Sequence, residues 1–480
     1  MELPSLLVRA ARTAPNRPAL ILPDQTLTYA ELRQLAAGIA SRWQAGGVPA
    51  GARLAMWVHD PQSLVLLLQA CIAAGYVACP ISTRLPATEA LRLVQRISAA
   101  GLITDRSVET DTSPSLTIFS ANTLLKGPVT GTIEFPESIS ESQPVSIIFT
   151  SGSTGEPKAA LHSYGNHYYS ALGAGENIPF GAGDRWLLSL PLYHVGGLAI
   201  LFRAMLGDGA VVVPQDRHNL AAAIRAHRIT HVSMVSTQLY RMLQDPQSVE
   251  TLRGLKAILL GGSGMPRSLI EAAHEQGLAI HTSYGLTEMA SQVTATPPGA
   301  ALATLFTAGR LLPYRELKIH AHGEILVKGR TRFLGYVHDD RLHEPFDAEG
   351  WFATGDLGHW NAQGLLEVTG RKDNLFISGG ENIQPEEIEQ ALLPFPGVLQ
   401  AIVVPVPDAE FGQRPVAFVE MEDDEGLDEA SMRVFLAGRL ARFKIPIAFF
   451  PLPRELAQTG IKPGRRQLAA LAEERMSKRR

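Results

Sequence analysis

The chain has 480 residues, 45% hydrophobic and 19% charged, a composition that fits roughly two to four globular domains and excludes a disordered chain or one small module. Lys plus Arg number 43 against 47 Asp plus Glu, and the net charge of −4 argues against nucleic acid or an anionic membrane as the partner. Two cysteines, Cys71 and Cys79, are too few for a disulfide framework or a thiolate zinc site and point to a reducing, cytoplasmic compartment.

The start, Met1-Glu2-Leu3-Pro4, lacks the basic region of a secretory signal. Thr28 and Glu31 have capping-box spacing, and Leu32, Leu35, Ile39 and Trp43 recur every three or four residues, which predicts a helix to about Trp43. Residues 53–58 read as a strand. Residues 63–81 carry no charge and are long enough to cross a bilayer, but Gln69, Gly75 and Pro80 interrupt them. A buried helix over 62–74 and a strand over 76–80 is the better reading, and no integral membrane segment is expected. From about 105 to 146 the pattern weakens and predicts a loosely structured excursion. Strands are expected at 145–149, 186–189, 210–213, 231–235 and 257–260, with a β-rich stretch over 317–368. This alternation predicts an α/β fold: a large N-terminal body of mixed sheets flanked by helices, plus a small, mobile α+β C-terminal lid. The body is expected over 1–370, a hinge over 371–373 and the lid over 374–480. Within the lid, a helix is expected over 381–393, with Pro385 in its first turn beside Glu386 and Glu387. Strands over 401–406 and 416–421, a helix over 428–442 and a basic tail follow.

The sharpest motif is Thr150-Ser151-Gly152-Ser153-Thr154-Gly155-Glu156-Pro157-Lys158, directly after an apolar strand. Glycines and small hydroxyl residues let backbone N–H groups approach a polyanion, and Lys158 adds positive charge. The spacing is not that of a Walker A loop, and an ordinary Ser/Gly turn competes with a phosphate cradle. A second turn, Gly261-Gly262-Ser263-Gly264, follows the strand at 257–260. Two such turns at carboxyl ends of strands would line one crevice, although a simple tight turn explains the second equally well. Tyr284-Gly285-Leu286-Thr287-Glu288 sets a hydroxyl beside a carboxylate, suited to a phosphate and its Mg²⁺ or to a helix N-cap at Thr287. Tyr193-His194 precedes Gly196 and Gly197. Thr354-Gly355-Asp356 offers a carboxylate for two ribose hydroxyls, or an Asx turn.

Together with Gly370-Arg371-Lys372-Asp373, and in this order, these elements resemble the adenylate-forming acyl/aryl-CoA ligase superfamily over nearly the whole chain. The resemblance implies an enzyme with two half-reactions. A carboxylate attacks the α-phosphate of ATP, giving an acyl-adenylate and pyrophosphate; the thiol of coenzyme A then attacks the mixed anhydride and releases AMP. ATP, Mg²⁺, coenzyme A and a small carboxylic acid are the implied cofactors and partners, with no nucleic acid. By resemblance, Thr150, Ser151, Gly152, Ser153, Thr154, Gly155 and Lys158 hold the β- and γ-phosphates. Thr287 bonds the α-phosphate and Glu288 binds Mg²⁺. Ser283, Tyr284 and Gly285, with Gly262 and Ser263, surround the adenine, and Asp356 and Arg371 grip the ribose. The catalytic lysine of the lid falls on Lys462, where Ile461 separates it from Gly460. His194 is expected with Lys462 and Thr287 among the catalytic residues. Rotation about Asp373 would withdraw Lys462 and bring Ser378, Gly379 and Gly380 toward the thiol path.

Residues 186–195 and 373–385, with the Gly-Ile-Lys spacing, resemble members that act on an aromatic diacid, activating its aliphatic carboxylate. The free carboxylate then needs a cation or donors. Arg203, on an apolar helix ten residues past Tyr193, is a candidate, with Ser291, Gln292, His194 and Gly262 toward the acid. A paired structural arginine is an equal reading of Arg203. A CoA ligase for another aryl or medium-chain acid, a stand-alone module loading a carrier protein, and a non-catalytic nucleotide-binding protein stay open. So does the oligomeric state, a homodimer being one option.

Overall fold

The structure, a computed structural model, describes residues 1–108, 116–127, 133–150, 157–217, 219–262, 265–379, 381–408, 410–422, 427–453 and 465–479. The chain separates into two compact units. One comprises Met1–Ser263, Ala273–Leu317 and Val327–Phe352; the other comprises Gly264–Ala272, Lys318–Leu326 and Ala353–Arg480.

In the first unit the apolar runs build two sheets. An eight-stranded sheet has the order Arg341–His343, Gly335–His338, Lys158–Ser163, Pro144–Thr150, Val77–Pro80, Arg53–Trp57, Gly101–Thr104, Thr117–Ser120. The strands from Pro144 to Thr117 in that order are parallel, whereas Pro144–Thr150 and Lys158–Ser163 form an antiparallel hairpin. Lys158 and Thr150 are cross-strand partners, so both ends of the predicted phosphate loop are fixed by ladder hydrogen bonds. Ser151, Gly152, Ser153, Thr154 and Gly155 lie outside the described residues.

A nine-stranded sheet has the order Arg310–Leu311, Ser291–Ala295, Ile280–Leu286, Ala257–Leu260, His231–Met234, Arg185–Leu187, Ala210–Val212, Pro18–Ile21, Thr26–Thr28. Its middle is parallel and its edges are antiparallel. The carboxyl ends of the parallel strands therefore open toward Gly261 and Gly262, Ser283 and Tyr284, and the Tyr193-His194 segment, where open sheets of this kind bind ligands.

The helices follow their local signals. Thr28 Oγ1 accepts from the Glu31 N–H while the Glu31 carboxylate accepts from the Thr28 N–H at 2.8 Å, and the helix runs Tyr29–Ala45. The uncharged stretch becomes the helix Pro61–Ala73, capped by Asp60, and the strand Val77–Pro80. Leu64 to Ala73 are buried all round, as a helix inside a core must be. Among the described residues no helix is long and apolar enough to cross a membrane. Cys71 and Cys79 are both buried, and burial pushes their thiols up, Cys79 to about 12, so they behave as small hydrophobes.

Several local expectations change. The weak stretch near 105–146 holds a strand, Thr117–Ser120, a helix, Ala121–Lys126, and a second strand, Ser138–Ser140. These are short edge elements, too brief to leave a periodic signature. Gly196 and Gly197 sit within the first turn of the helix Val195–Gly207, and a Cβ on Gly197 would run into the Pro191 carbonyl.

In the second unit the helix expected from Glu381 begins only at Pro385, because Glu381–Ile383 pairs with Phe376–Ser378 as a strand. The expected helix from Asp428 stops at Ala437, before Gly438. The basic tail is the helix Arg465–Arg479, with Leu468 and Ala472 buried. A three-stranded sheet, Val398–Asp408, Gly412–Met421 and Phe449–Pro451, has apolar residues on both faces. Val403, Ala417 and Val419 pack with Ile388, Leu392, Met432 and Leu436 on one face; Ile402, Val404 and Phe418 pack with Leu468 and Ala472 on the other.

Candidate active site

The strand Ile280–Leu286 turns back into Ser291–Ala295 through a single 3₁₀ turn, Thr287–Met289. Leu286, not Thr287, occupies the N-cap position. The reversal is tight enough to put two non-glycine residues, Ala290 and Ser291, at φ of 53° and 131°. Such conformations cost about 1–3 kcal/mol each and persist only where the surroundings over-determine them. Three contacts do so. His162 Nε2 meets the Thr287 carbonyl at 2.7 Å, the Phe333 N–H donates to the Glu288 carbonyl at 2.8 Å, and the Tyr336 hydroxyl donates to Glu288 Oε1 at 2.6 Å. A carbonyl can only accept, so His162 carries its proton on Nε2. Burial lowers the pKa of this ring to about 4 and keeps it neutral near pH 7.

Tyr336 also faces the phosphate hairpin. The strand Gly335–His338 pairs with Lys158–Ser163, Tyr336 opposite Ala160, and Lys158 Nζ stands 5.1 Å from the Tyr336 ring centroid. Lys158, Tyr336 and Glu288 thus form one cluster. The sequence points to Lys158 and Glu288 but not to Tyr336, whose only local signal is a Gly-Tyr pair in a β-rich stretch.

Among the residues expected around the adenine, the Ser283 hydroxyl donates to the Leu260 carbonyl at 2.9 Å and ties the Gly261-Gly262 turn to the Tyr284 strand. Gly262 has a φ of 88°, and a Cβ on Gly285 would meet the Ser291 backbone. Tyr284 is buried; Ser263 lies outside the described residues.

Toward the expected acid site, the Tyr193 and His194 rings meet edge to face at 4.8 Å, directly before the helix Val195–Gly207. His194 keeps a solvent-exposed edge, yet the protein packed around it, and then the Arg84 charge, lower its pKa. Nine residues along, Arg203 is buried. Its Nη2 donates to Gln292 Oε1 at 2.8 Å and to Ser291 Oγ at 3.2 Å, and its guanidinium lies 5.3 Å from the Trp186 ring centroid. Burial lowers its pKa to about 10, leaving it a cation at neutral pH. Among the described residues no carboxylate pairs with Arg203, and Arg203 Nε and Gln292 Nε2 have no hydrogen-bond partner. Arg315, buried nearby, is instead satisfied by the carbonyls of Gln292, Pro313 and Ser170. Arg203 and Gln292 reach a cavity of about 210 Å³ whose walls are largely apolar, including Ala174, Ile178 and Phe180, with one carboxylate, Glu176. A buried cation without a counter-ion is costly, and an anionic ligand removes that cost.

In the second unit, Asp356 and Arg371 are partners across the hairpin Phe352–Trp360 and Leu366–Arg371, with Arg371 Nη1 donating to Asp356 Oδ1 at 2.8 Å. Asp356 lies in a strand, not an Asx turn. The Thr354 hydroxyl donates to the Ile325 carbonyl and accepts from the Asp356 N–H, fixing the backbone from below. Asp373 sits in the 3₁₀ turn Lys372–Asn374. Ser378 is buried with its hydroxyl unpartnered, and Gly379, at a φ of 58°, donates its N–H to the Phe411 carbonyl. Gly380 and Lys462 lie outside the described residues. Arg465, three residues past Lys462, is held by Glu389 and Glu386 at 2.5 and 3.2 Å.

Among the described residues no group of three or more His, Cys, Asp or Glu side chains could hold a metal ion. Glu288 alone fits Mg²⁺, which needs only one or two carboxylates when phosphate and water oxygens supply the rest.

The chain belongs to the AMP-binding enzyme family: the family profile matches residues 7–337 and the profile of its C-terminal domain matches residues 387–461. The large α/β body and small C-terminal domain are those of the adenylate-forming fold. The chain is similar to the 2-succinylbenzoate–CoA ligase of Escherichia coli (strain K12), 39% identical over 453 residues, 94% of each chain. It also resembles two solved structures of o-succinylbenzoate CoA synthetase from Bacillus subtilis. The complex with the acyl-adenylate intermediate matches with a TM-score of 0.89 at 33% identity, covering 98% of both chains. The complex with ATP and magnesium ion matches with a TM-score of 0.87 at 33% identity, covering 98% of this chain and 100% of that one.

Proposed function

We propose that this protein joins 2-succinylbenzoate to coenzyme A through an acyl-adenylate, in the cytoplasm, as a step of menaquinone biosynthesis. The observation that carries the choice of acid is Arg203, a buried cation with no carboxylate partner among the described residues, beside Ser291 and Gln292. An acid with a second, unreacting carboxylate supplies the missing counter-charge, and the relatives described above are ligases for such an acid.

In the first half-reaction the aliphatic carboxylate oxygen attacks the α-phosphorus. The bond to the bridging oxygen breaks, and pyrophosphate leaves with its electron pair. Two anions must meet, so donors and cations have to be in place beforehand. Lys158 and the loop Thr150–Gly155 hold the β- and γ-phosphates, Thr287 donates to the α-phosphate, and Lys462 bridges substrate carboxylate and α-phosphate. Glu288 would hold Mg²⁺, which supplies charge neutralisation on the phosphates. Tyr284 and Gly262 flank the adenine, Asp356 accepts from the ribose hydroxyls, and Arg371 holds that carboxylate in place. In the second half-reaction the thiol sulfur, losing its proton, attacks the acyl carbon, and the bond to AMP breaks. The lid beyond Arg371 turns about Asp373 between the two steps, exchanging Lys462 for the face of Ser378, Gly379 and Gly380.

Pyrophosphate release with a panel of acids tests the proposal. Release is expected with 2-succinylbenzoate and not with benzoate or fatty acids. Turnover with those acids but not with 2-succinylbenzoate would leave only the family assignment.

A further inference from the structure

Tyr336 has two contacts that its place in a buried aromatic cluster does not require. Packing against Phe333, at 4.8 Å between ring centroids, and against Phe352, at 6.5 Å, would be served equally by phenylalanine. The hydroxyl instead donates to Glu288 Oε1 at 2.6 Å, within the range of charge-assisted O–H···O⁻ bonds. The ring face lies 5.1 Å from Lys158 Nζ. One side chain therefore touches both the lysine that ends the phosphate loop and the carboxylate of the Thr287 turn. The same segment grips Glu288 a second time, through the Phe333 N–H on the Glu288 carbonyl. Backbone and side chain of Glu288 are thus both fixed by residues in, and two positions before, the strand Gly335–His338 that pairs with the phosphate hairpin.

We propose that Tyr336 is a positioning residue for nucleotide binding: its hydroxyl sets the Glu288 carboxylate in the orientation that receives Mg²⁺ on ATP, while its ring supports Lys158. This rests on the reading of Glu288 as the magnesium carboxylate. A carboxylate without such a donor samples several rotamers and must be ordered when the metal arrives, and loss of an outer partner of this kind typically weakens metal binding about 10–100-fold. The ring contributes separately, because an ammonium over an aromatic face keeps its position before phosphate binds.

Calorimetric titration of ATP into the full-length protein, in EDTA and at rising Mg²⁺, tests this on the wild type, Tyr336→Phe, Glu288→Ala and the double variant. Tyr336→Phe should leave ATP affinity in EDTA within about 2-fold, because the ring over Lys158 is kept. It should raise the Mg²⁺ concentration for half-maximal enhancement about 10-fold. In the Glu288→Ala background the same change should have no further effect, since Tyr336 would act through Glu288. A magnesium curve for Tyr336→Phe that overlays the wild type, or one shifted to lower Mg²⁺, overturns the proposal. So does an equal shift in both backgrounds, or loss of the fold in Tyr336→Phe, since either assigns the hydroxyl a structural role. Full magnesium enhancement in Glu288→Ala would instead overturn the reading of Glu288 itself.

Discussion

Arg371 Nη1 donates to Asp356 Oδ1 at 2.8 Å, and the two residues are register partners across an antiparallel hairpin. The arginine is half exposed, so the ion pair adds little to stability, about 0–1 kcal/mol. Its effect is geometric: it fixes the orientation of the Asp356 carboxylate. Asp356→Asn should weaken ATP binding by about 10-fold, the loss of one strong charge-assisted bond, with little change in the unfolding midpoint. Titration calorimetry and a thermal melt check this. Unchanged ATP affinity with a lowered midpoint would assign the pair to the fold alone.

Gly355, directly before Asp356, has a φ of 73°, and a Cβ there would sit 3.0 Å from Arg371 Nη2. Gly355→Ala should therefore cost about 1–3 kcal/mol and displace the guanidinium. Denaturant unfolding measures the first effect and ATP affinity the second. A neutral substitution would show that the hairpin relaxes around the methyl group.

Arg203 separates binding from stability in the opposite sense. Removing a buried cation that lacks a carboxylate is expected to leave the fold intact or stabilise it. Loss of the partner for a buried carboxylate typically costs about 2–5 kcal/mol in binding, on the order of 30-fold or more. Arg203→Met should therefore raise KM for 2-succinylbenzoate while KM for ATP and the melting midpoint hold. A parallel rise in both KM values would remove Arg203 from the acid site.

His162 gives a pH signature. Its pKa is about 4 in the folded protein against 6.5 for the free side chain, because burial penalises the charged ring. Below about pH 6.5 the unfolded chain takes up a proton that the folded protein refuses. The stability is fully present above that pH and is lost as pH falls toward 4. At 1.36 kcal/mol per unit, the loss between pH 7 and 5 is about 2 kcal/mol from this residue. His167, buried beside it with its pKa also lowered, adds in the same direction. Denaturant unfolding at the two pH values measures the slope. His162→Gln, which keeps an N–H for the Thr287 carbonyl, should flatten it; an unchanged slope would place the linkage elsewhere.

Lys462→Ala should slow pyrophosphate release by about 10²-fold or more, as expected for a group stabilising transition-state charge, while sparing thioester formation from supplied acyl-adenylate. Single-turnover assays of each half-reaction decide it. Equal loss in both steps would reject its assignment to adenylation.

What the amino-acid order determines by itself is what short range controls. The Thr28–Glu31 capping box and the buried uncharged helix both depend on neighbours a few residues apart. The short elements between 105 and 146 escaped that reading, because three- and four-residue strands leave no period to detect. The tertiary structure alone decided the contacts that shape the candidate site. Tyr336 reaches Glu288 across 48 positions, Arg203 reaches Ser291 across 88, and His162 reaches Thr287 across 125. No spacing rule links residues so far apart. Sheet order and strand register bring them within hydrogen-bond distance, and both are set by burial of the whole apolar pattern, not by any single motif.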